Sequence, residues 1–126
     1  MPRYFRLVTC LAAALLIAGP ARGAQESTNT LENELQRLSE ILGALHYLRG
    51  ICSNDGPKWR ADMQALLDAE AQGSERRGRL IASFNRGYRG FQQSYRTCTD
   101  SAKLAIERYL QEGAKISREI TARYSN

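Results

Sequence analysis

The chain has 126 residues, 43% of them hydrophobic and 25% charged, which are the proportions of a single globular domain and exclude disorder over the whole length. Its formal net charge is +5, but Arg3, Arg6 and Arg22 lie in an N-terminal segment that we expect to be removed. Without them the net charge falls to +2, which is too small an excess to indicate nucleic-acid binding.

Residues 1–23 have the pattern of a secretory signal peptide. Two arginines precede an apolar run from Leu7 to Ile17, and Gly19-Pro20 then breaks the helix. Small residues at Ala21 and Gly23 favour cleavage after Gly23, with Ala21 and Ala24 as alternative sites. The apolar run is shorter than the ~20 residues that span a bilayer, so we expect export and not a retained membrane anchor.

After a flexible leader over residues 24–30, leucines recur at intervals of four and three and predict a first helix over residues 30–51. Arg49 falls inside this apolar stripe, where it can pair with an acid such as Asp55 or Asp100. Tyr47 points away from the stripe. The stripe consists of Leu31, Leu35, Leu38, Leu42 and Leu45, and Ile41 and Leu48 widen it.

A run of turn-forming residues over 53–57 ends the first helix, and Pro57 begins a second that extends to about Ala71. Its apolar face contains Trp59, Met63, Leu66 and Leu67. We interpret the single tryptophan as a core anchor and not as a ligand platform.

The third predicted helix, from Ser74 to about Cys98, has three different faces. Aromatic residues recur at helical spacing on one face, arginines lie on the opposite one, and small residues make a strip between them. We expect the strip to pack against a helix of the same domain and not against a foreign helix. The strip consists of Ser83, Gly87, Gly90 and Ser94; the aromatic face contains Leu80, Phe84, Tyr88, Phe91, Tyr95 and Cys98.

A fourth helix is predicted from the Thr99 to Ser101 turn to about Tyr124. Its apolar face recurs at intervals of four and three, and short loops join all four helices. Such connections favour antiparallel neighbours, so the sequence predicts one all-α domain, residues 31–124, folded as an up-down-up-down bundle. The face of this helix contains Ala102, Ile106, Tyr109, Gly113, Ile116 and Ile120.

Two cysteines remain once the signal peptide is removed. Cys52 ends the first helix and Cys98 ends the third, which places both at the same pole of an up-down-up-down bundle. We therefore predict a disulfide between them, formed in the oxidising compartment that export implies. The alternative is a pair of free buried thiols.

No residue pattern indicates catalysis. The chain has one histidine, His46, which lies beside an apolar stripe, and it has no serine elbow, cysteine–histidine signature or phosphate-binding glycine loop. Its carboxylates are scattered along helix faces. We expect a protein that is not an enzyme and has no catalytic residue, metal or cofactor.

The positive charge is concentrated on one helix, because residues 74–98 carry a net charge of +5 while the two preceding segments are acidic. These arginines either pair with acids on the first two helices or bind an anionic partner. That partner would be an acidic envelope protein, a phospholipid head group or a cell-surface glycan. The candidate binding residues are Arg79, Arg86, Arg89 and Arg96, with a contribution from Tyr47.

Five runs of the sequence together resemble a known group of proteins. They are ILGALHYLRGIC (Ile41 to Cys52), MQALLDAE (Met63 to Glu70), FNRGYRGF (Phe84 to Phe91), SYRTC (Ser94 to Cys98) and AIERYL (Ala105 to Leu110). The chain resembles a family of small exported alphaproteobacterial proteins that is labelled only as a domain of unknown function. The resemblance implies a periplasmic location and supplies no activity, cofactor or catalytic residue.

We therefore expect a periplasmic interaction or envelope-maintenance module that binds an anionic partner through the arginine-rich helix. The alternative is a carrier of a small molecule or lipid, with its ligand inside the bundle among the aromatic side chains. A carrier requires an interior cavity of a few hundred Å³, whereas a packed bundle leaves almost none. The oligomeric state stays open. The aromatic side chains in question are Phe84, Tyr88, Phe91, Tyr95 and Tyr109.

Overall fold

The computed structural model describes residues 21–124, which form four helices joined by short turns. In chain order these are α1 (Ala21–Ser53), α2 (Gly56–Glu70), α3 (Ser74–Ser94) and α4 (Asp100–Tyr124). No strand occurs over that range, so the predicted all-α fold of four helices is confirmed. Most of the predicted signal peptide, residues 1–20, lies outside the described part of the chain.

Helix α1 is longer than the leucine pattern predicted. It has 33 residues and is already helical at Ala21, so residues 24–30 continue the helix where we expected a flexible leader. Thr30 Oγ1 donates a hydrogen bond to the Glu26 carbonyl oxygen at 2.9 Å, and the Tyr124 hydroxyl of α4 donates to the Ser27 carbonyl oxygen at 3.1 Å. Side chains from residue 25 to residue 30 are exposed, and a fully exposed turn of helix leaves no apolar stripe in the sequence.

Helix α1 lies at the centre of the fold, and each of the other three helices packs against it. Among the described helices, α1 is the only one whose Cα atoms come within 8 Å of those of α4. The leucine stripe is buried accordingly: Leu35, Leu45 and Leu48 expose no more than 2% of their surface. One apolar cluster fills the space between α1 and α4, and a second lies between α1, α2 and α3. Trp59 packs against both clusters, as expected of a core anchor.

Contacts along α1 show the relative directions of the helices. As the residue number increases along α1, the number of its contact residue increases on α3 and decreases on α4. Helix α3 is therefore parallel to α1 and α4 is antiparallel to it, which is compatible with the predicted up-down-up-down order. The contacts are Glu32–Arg76, Glu40–Arg86 and Cys52–Cys98 for α3, and Ser27–Tyr124, Glu34–Arg123 and Arg37–Glu112 for α4.

Helices α1 and α3 cross so closely that two positions leave no room for a side chain. A Cβ atom built on Gly87 would lie 2.0 Å from the carbonyl oxygen of Glu40, and one built on Gly43 would lie 1.9 Å from that of Phe84. Both distances are far below van der Waals contact, so only glycine allows the two backbones this approach.

The predicted strip of small residues is therefore divided between two environments. Ser83 and Gly87 are buried against α1, with Ser83 exposing only 1% of its surface. Gly90 and Ser94 are exposed, and a Cβ atom on Gly90 would have no other atom within 4 Å. The first half of the strip packs a neighbouring helix, as predicted, whereas the second half faces solvent.

The disulfide between Cys52 and Cys98 is present, with Cα atoms 5.0 Å apart, and joins the end of α1 to the segment after α3. Arg49 pairs with Asp55 at the same pole, its Nε lying 3.0 Å from both carboxylate oxygens, which confirms one of its two predicted partners. The hydrogen bond from Arg49 holds the pKa of Asp55 below its usual range.

Candidate functional site

Six arginines lie on α3 or just after it, and acids of α1 neutralise three of them. Arg76 Nε donates a hydrogen bond to Glu32, and Arg79 Nη2 lies 3.4 Å from the other oxygen of the same carboxylate. Arg86 Nη2 lies 3.7 Å from a carboxylate oxygen of Glu40. Of the predicted binding residues, Arg79 and Arg86 are thus engaged in ion pairs between helices.

Arg86 belongs to a series of charges that connects three helices. Its partner Glu40 also lies 3.5 Å from Arg37, and Arg37 donates two hydrogen bonds to the carboxylate of Glu112 on α4, at 2.7 and 2.9 Å. These hydrogen bonds raise the pKa of Arg37 and lower the pKa of Glu112 from their usual values. The Arg37 guanidinium also lies 5.5 Å from the centre of the Tyr109 ring. This series holds α3 and α4 to α1.

Arg89 and Arg96 are the predicted binding residues that remain free. Both are exposed, and neither has an ion-pair or side-chain hydrogen-bond partner among residues 21–124. Intervals of three and four residues place Arg86, Arg89, Gly90 and Gln93 on one side of α3. We call these four residues the outer face of α3. Because Gly90 is exposed there and has no side chain, the outer face is flat next to its two arginines.

Arg96 lies beyond the outer face, in the turn that follows α3. The prediction that this helix extends to Cys98 was wrong: it ends at Ser94, and Tyr95 has an extended backbone with φ −127° and ψ 118°. The Tyr47 hydroxyl donates a hydrogen bond to the Tyr95 carbonyl oxygen. In a continuing helix this oxygen would accept from a backbone N–H instead. Arg96 therefore adds positive charge next to the C-terminal end of the outer face, but not in helical register with it.

Tyr47 does not lie on the outer face, although the sequence pattern suggested it as a partner contact. Its side chain is half-buried, its hydroxyl is used by Tyr95, and its ring meets that of Tyr88 edge-on with centroids 5.4 Å apart. The structure thus gives Tyr47 a role within the fold, where it holds the segment that leaves α3. Its position outside the leucine stripe of α1 was consistent with either role.

The carrier alternative placed a ligand inside the bundle among the aromatic side chains, but these side chains do not surround a single cavity. Phe84 and Tyr88 line an open groove of about 410 Å³ between α2 and α3. Phe91, Tyr95 and Tyr109 line a second open groove of about 480 Å³ between α3 and α4. In this second group Phe91 stacks on Tyr95 and meets Tyr109 edge-on, with centroids 6.0 and 5.4 Å apart. The two groups thus line two separate open grooves and not one enclosed cavity.

Among residues 21–124, no helix is long and apolar enough to cross a membrane. Nor do three His, Cys, Asp or Glu residues come together there as a set of metal ligands.

A protein-family model matches residues 30–124, which cover all four helices apart from the first turns of α1. The family is described as "Protein of unknown function (DUF2385)". No curated protein and no solved structure matches the chain. Since the matched region is most of the sequence, the chain belongs to the DUF2385 family, whose description assigns no activity to its members.

Proposed function

We propose that this protein is a non-enzymatic binding module of the bacterial periplasm that captures an acidic protein through the outer face of α3 and the adjacent Arg96. The observation that carries the proposal is the division of the arginines. Glu32 and Glu40 of α1 neutralise Arg76, Arg79 and Arg86. Arg89 and Arg96 stay exposed without a partner within residues 21–124.

Two features of the outer face favour a folded protein as partner. The guanidinium of Arg89 is carried by a rigid helix and offers paired donors to a carboxylate, which suits the recognition of acidic side chains. Gly90 leaves the surface beside it flat and open, so that a structured surface can approach the α3 backbone closely. Complementary charge would also speed association with an acidic partner and make it sensitive to salt.

The proposed location depends on the N-terminal pattern and on the disulfide. A signal-like segment over residues 1–23 directs export, and the Cys52–Cys98 bond requires an oxidising compartment to persist. Mass analysis of protein recovered from the periplasmic fraction is expected to show a chain that begins at Ala24 with both thiols oxidised. A full-length, reduced chain recovered from the cytosol would contradict the proposed location.

The partner is tested by affinity capture from envelope extract at low salt, with captured proteins identified by mass spectrometry. The test variant is Arg89→Glu with Arg96→Glu, and the control with the same charge change is Lys103→Glu with Arg118→Glu on the exposed surface of α4. We expect an acidic protein that is captured by the wild type and the α4 control but lost from the α3 variant. Equal capture by all three proteins would remove the proposal.

A further inference from the structure

The groove between α2 and α3 contains two further arginines that the outer face does not use. Arg60 projects from α2 and Arg77 from α3, and both line the groove. Both are exposed, and no acid or hydrogen-bond acceptor engages either side chain within residues 21–124. Two unpaired cations on opposite walls of one groove mark it as a candidate anion site.

The two arginines lie at different heights along the groove. Helices α2 and α3 meet at the turn after Glu70 and run in opposite directions along α1. Helix α2 begins beside His46, whose Nδ1 lies 2.7 Å from the Gly56 carbonyl oxygen, whereas α3 begins beside Glu32. Arg60 lies ten residues before Glu70, or about 15 Å along the helix axis, whereas Arg77 lies three residues after Ser74, or about 5 Å. Their backbones are therefore separated by about 10 Å along the groove.

The lining of the groove between the arginines is partly polar and partly apolar. Ile81 and Phe84 of α3 supply an apolar stretch, and Ile81 is 38% exposed, whereas Met63 and Leu67 of α2 are buried at the base. Asn85 lines the same stretch and offers an amide donor. The volume of about 410 Å³ falls within the range of small-molecule sites. A ligand that spans both arginines over Ile81 and Phe84 needs an apolar middle.

We propose that this groove binds a linear dicarboxylate, with one carboxylate on Arg60, the other on Arg77 and the hydrocarbon chain over Ile81 and Phe84. An arginine can bind a carboxylate through two parallel hydrogen bonds, so each end of the ligand has a suitable donor. A monocarboxylate would engage one arginine only. A short dicarboxylate could not reach both while covering the apolar wall.

The experiment is calorimetric titration of the purified protein, with its disulfide intact, using octanedioate as the probe. Two comparison ligands are titrated in the same way. Octanoate has one carboxylate instead of two, and butanedioate has both carboxylates but a much shorter hydrocarbon chain. We expect octanedioate to bind about tenfold more tightly than either, because it alone makes both charged contacts and the apolar one. Arg60→Gln and Arg77→Gln should each weaken it about tenfold, while Arg118→Gln, an exposed arginine of α4, should leave it unchanged.

Two results would overturn the proposal. Octanedioate binding no more tightly than butanedioate would show that charge alone is recognised, and an equal loss in the Arg118→Gln variant would place the site elsewhere. The outcome is separate from that of the proposed protein partner. Arg89→Glu with Arg96→Glu should leave octanedioate binding intact, and the two groove variants should leave protein capture intact.

Discussion

Replacing Gly87 by alanine tests the crossing of α1 and α3 on which the position of the outer face depends. The new Cβ atom would lie 2.0 Å from the Glu40 carbonyl oxygen and 3.0 Å from the backbone nitrogen of Ala44. Both are main-chain atoms, so no side-chain rotation can relieve the clash and the helices must move apart. Gly90 is the matched control, because it lies three residues away on the same helix with nothing within 4 Å of its built Cβ.

The two substitutions are expected to change stability in opposite directions. Alanine is favoured over glycine inside a helix by about 1 kcal/mol, so Gly90→Ala should raise the free energy of unfolding by up to that amount. Gly87→Ala gains the same helical preference but is overpacked, which costs about 3 kcal/mol when the surroundings cannot yield. Its net effect is a loss of about 2 kcal/mol.

Urea denaturation followed by circular dichroism measures both changes. A difference of about 3 kcal/mol between the two variants is a large part of the stability of a domain of this size, and should be visible as a clear separation of the unfolding midpoints. If Gly87→Ala were as stable as the wild type, the helices would not cross at this point, and the division between arginines paired with α1 and arginines without a partner would have to be revised.

Three further predictions concern the contacts that hold the ends and sides of the domain. Replacing Cys52 and Cys98 by serine should lower the free energy of unfolding by about 4 kcal/mol in the chain-entropy model, since the bond closes a loop of 46 residues; unchanged thermal unfolding would show that it adds nothing. Glu112→Gln should cost less than about 1 kcal/mol at neutral pH, because Arg37 lowers the pKa of this exposed carboxylate. That cost should vanish as the pH falls through the lowered pKa of Glu112 and the carboxylate becomes protonated, and a cost that persisted at acid pH would contradict an ionic origin. Tyr47→Phe should cost about 1 kcal/mol by removing the hydrogen bond to the Tyr95 carbonyl, while partner capture stays unchanged; lost capture in a stable variant would return Tyr47 to the binding surface.

Periodicity was sufficient to predict the four helices, because each buried stripe repeats at helical spacing. The short loops between them then predicted the disulfide, because they place Cys52 and Cys98 at the same pole. Leu35 and Leu45 of α1, like Ile106 and Ile116 of α4, are buried where the pattern placed them. The central position of α1 was not predicted, since a stripe shows that a residue is buried but not which helix covers it. One signal was overlooked. Ser39 and Gly43 form a small-residue strip on α1 that matches Ser83 and Gly87 on α3.

The candidate site was harder to predict than the fold, because an arginine's role depends on which acids lie across from it. Arg79 and Arg89 are equivalent on a helical wheel of exposed cations. Only the crossing of α1 and α3 brings Glu32 to Arg79 and leaves Arg89 without an acid. The end of α3 could not be predicted from the pattern, because Tyr95 and Cys98 continue the helical spacing of the apolar residues. In the structure α3 ends at Ser94, and the segment after it is held by the Tyr47 hydrogen bond and the disulfide.

Site-specific photo-crosslinking in intact cells tests the proposed binding surface most directly. A photoreactive residue at Gln93, which lies on the outer face one turn after Arg89, is compared with one at Gln111, which is exposed on α4. We predict a discrete crosslinked adduct with one acidic envelope protein from position 93, its loss when Arg89 and Arg96 are changed to glutamate, and no adduct from position 111. Equal labelling from both positions, or none from position 93, would contradict capture of a partner by the outer face of α3.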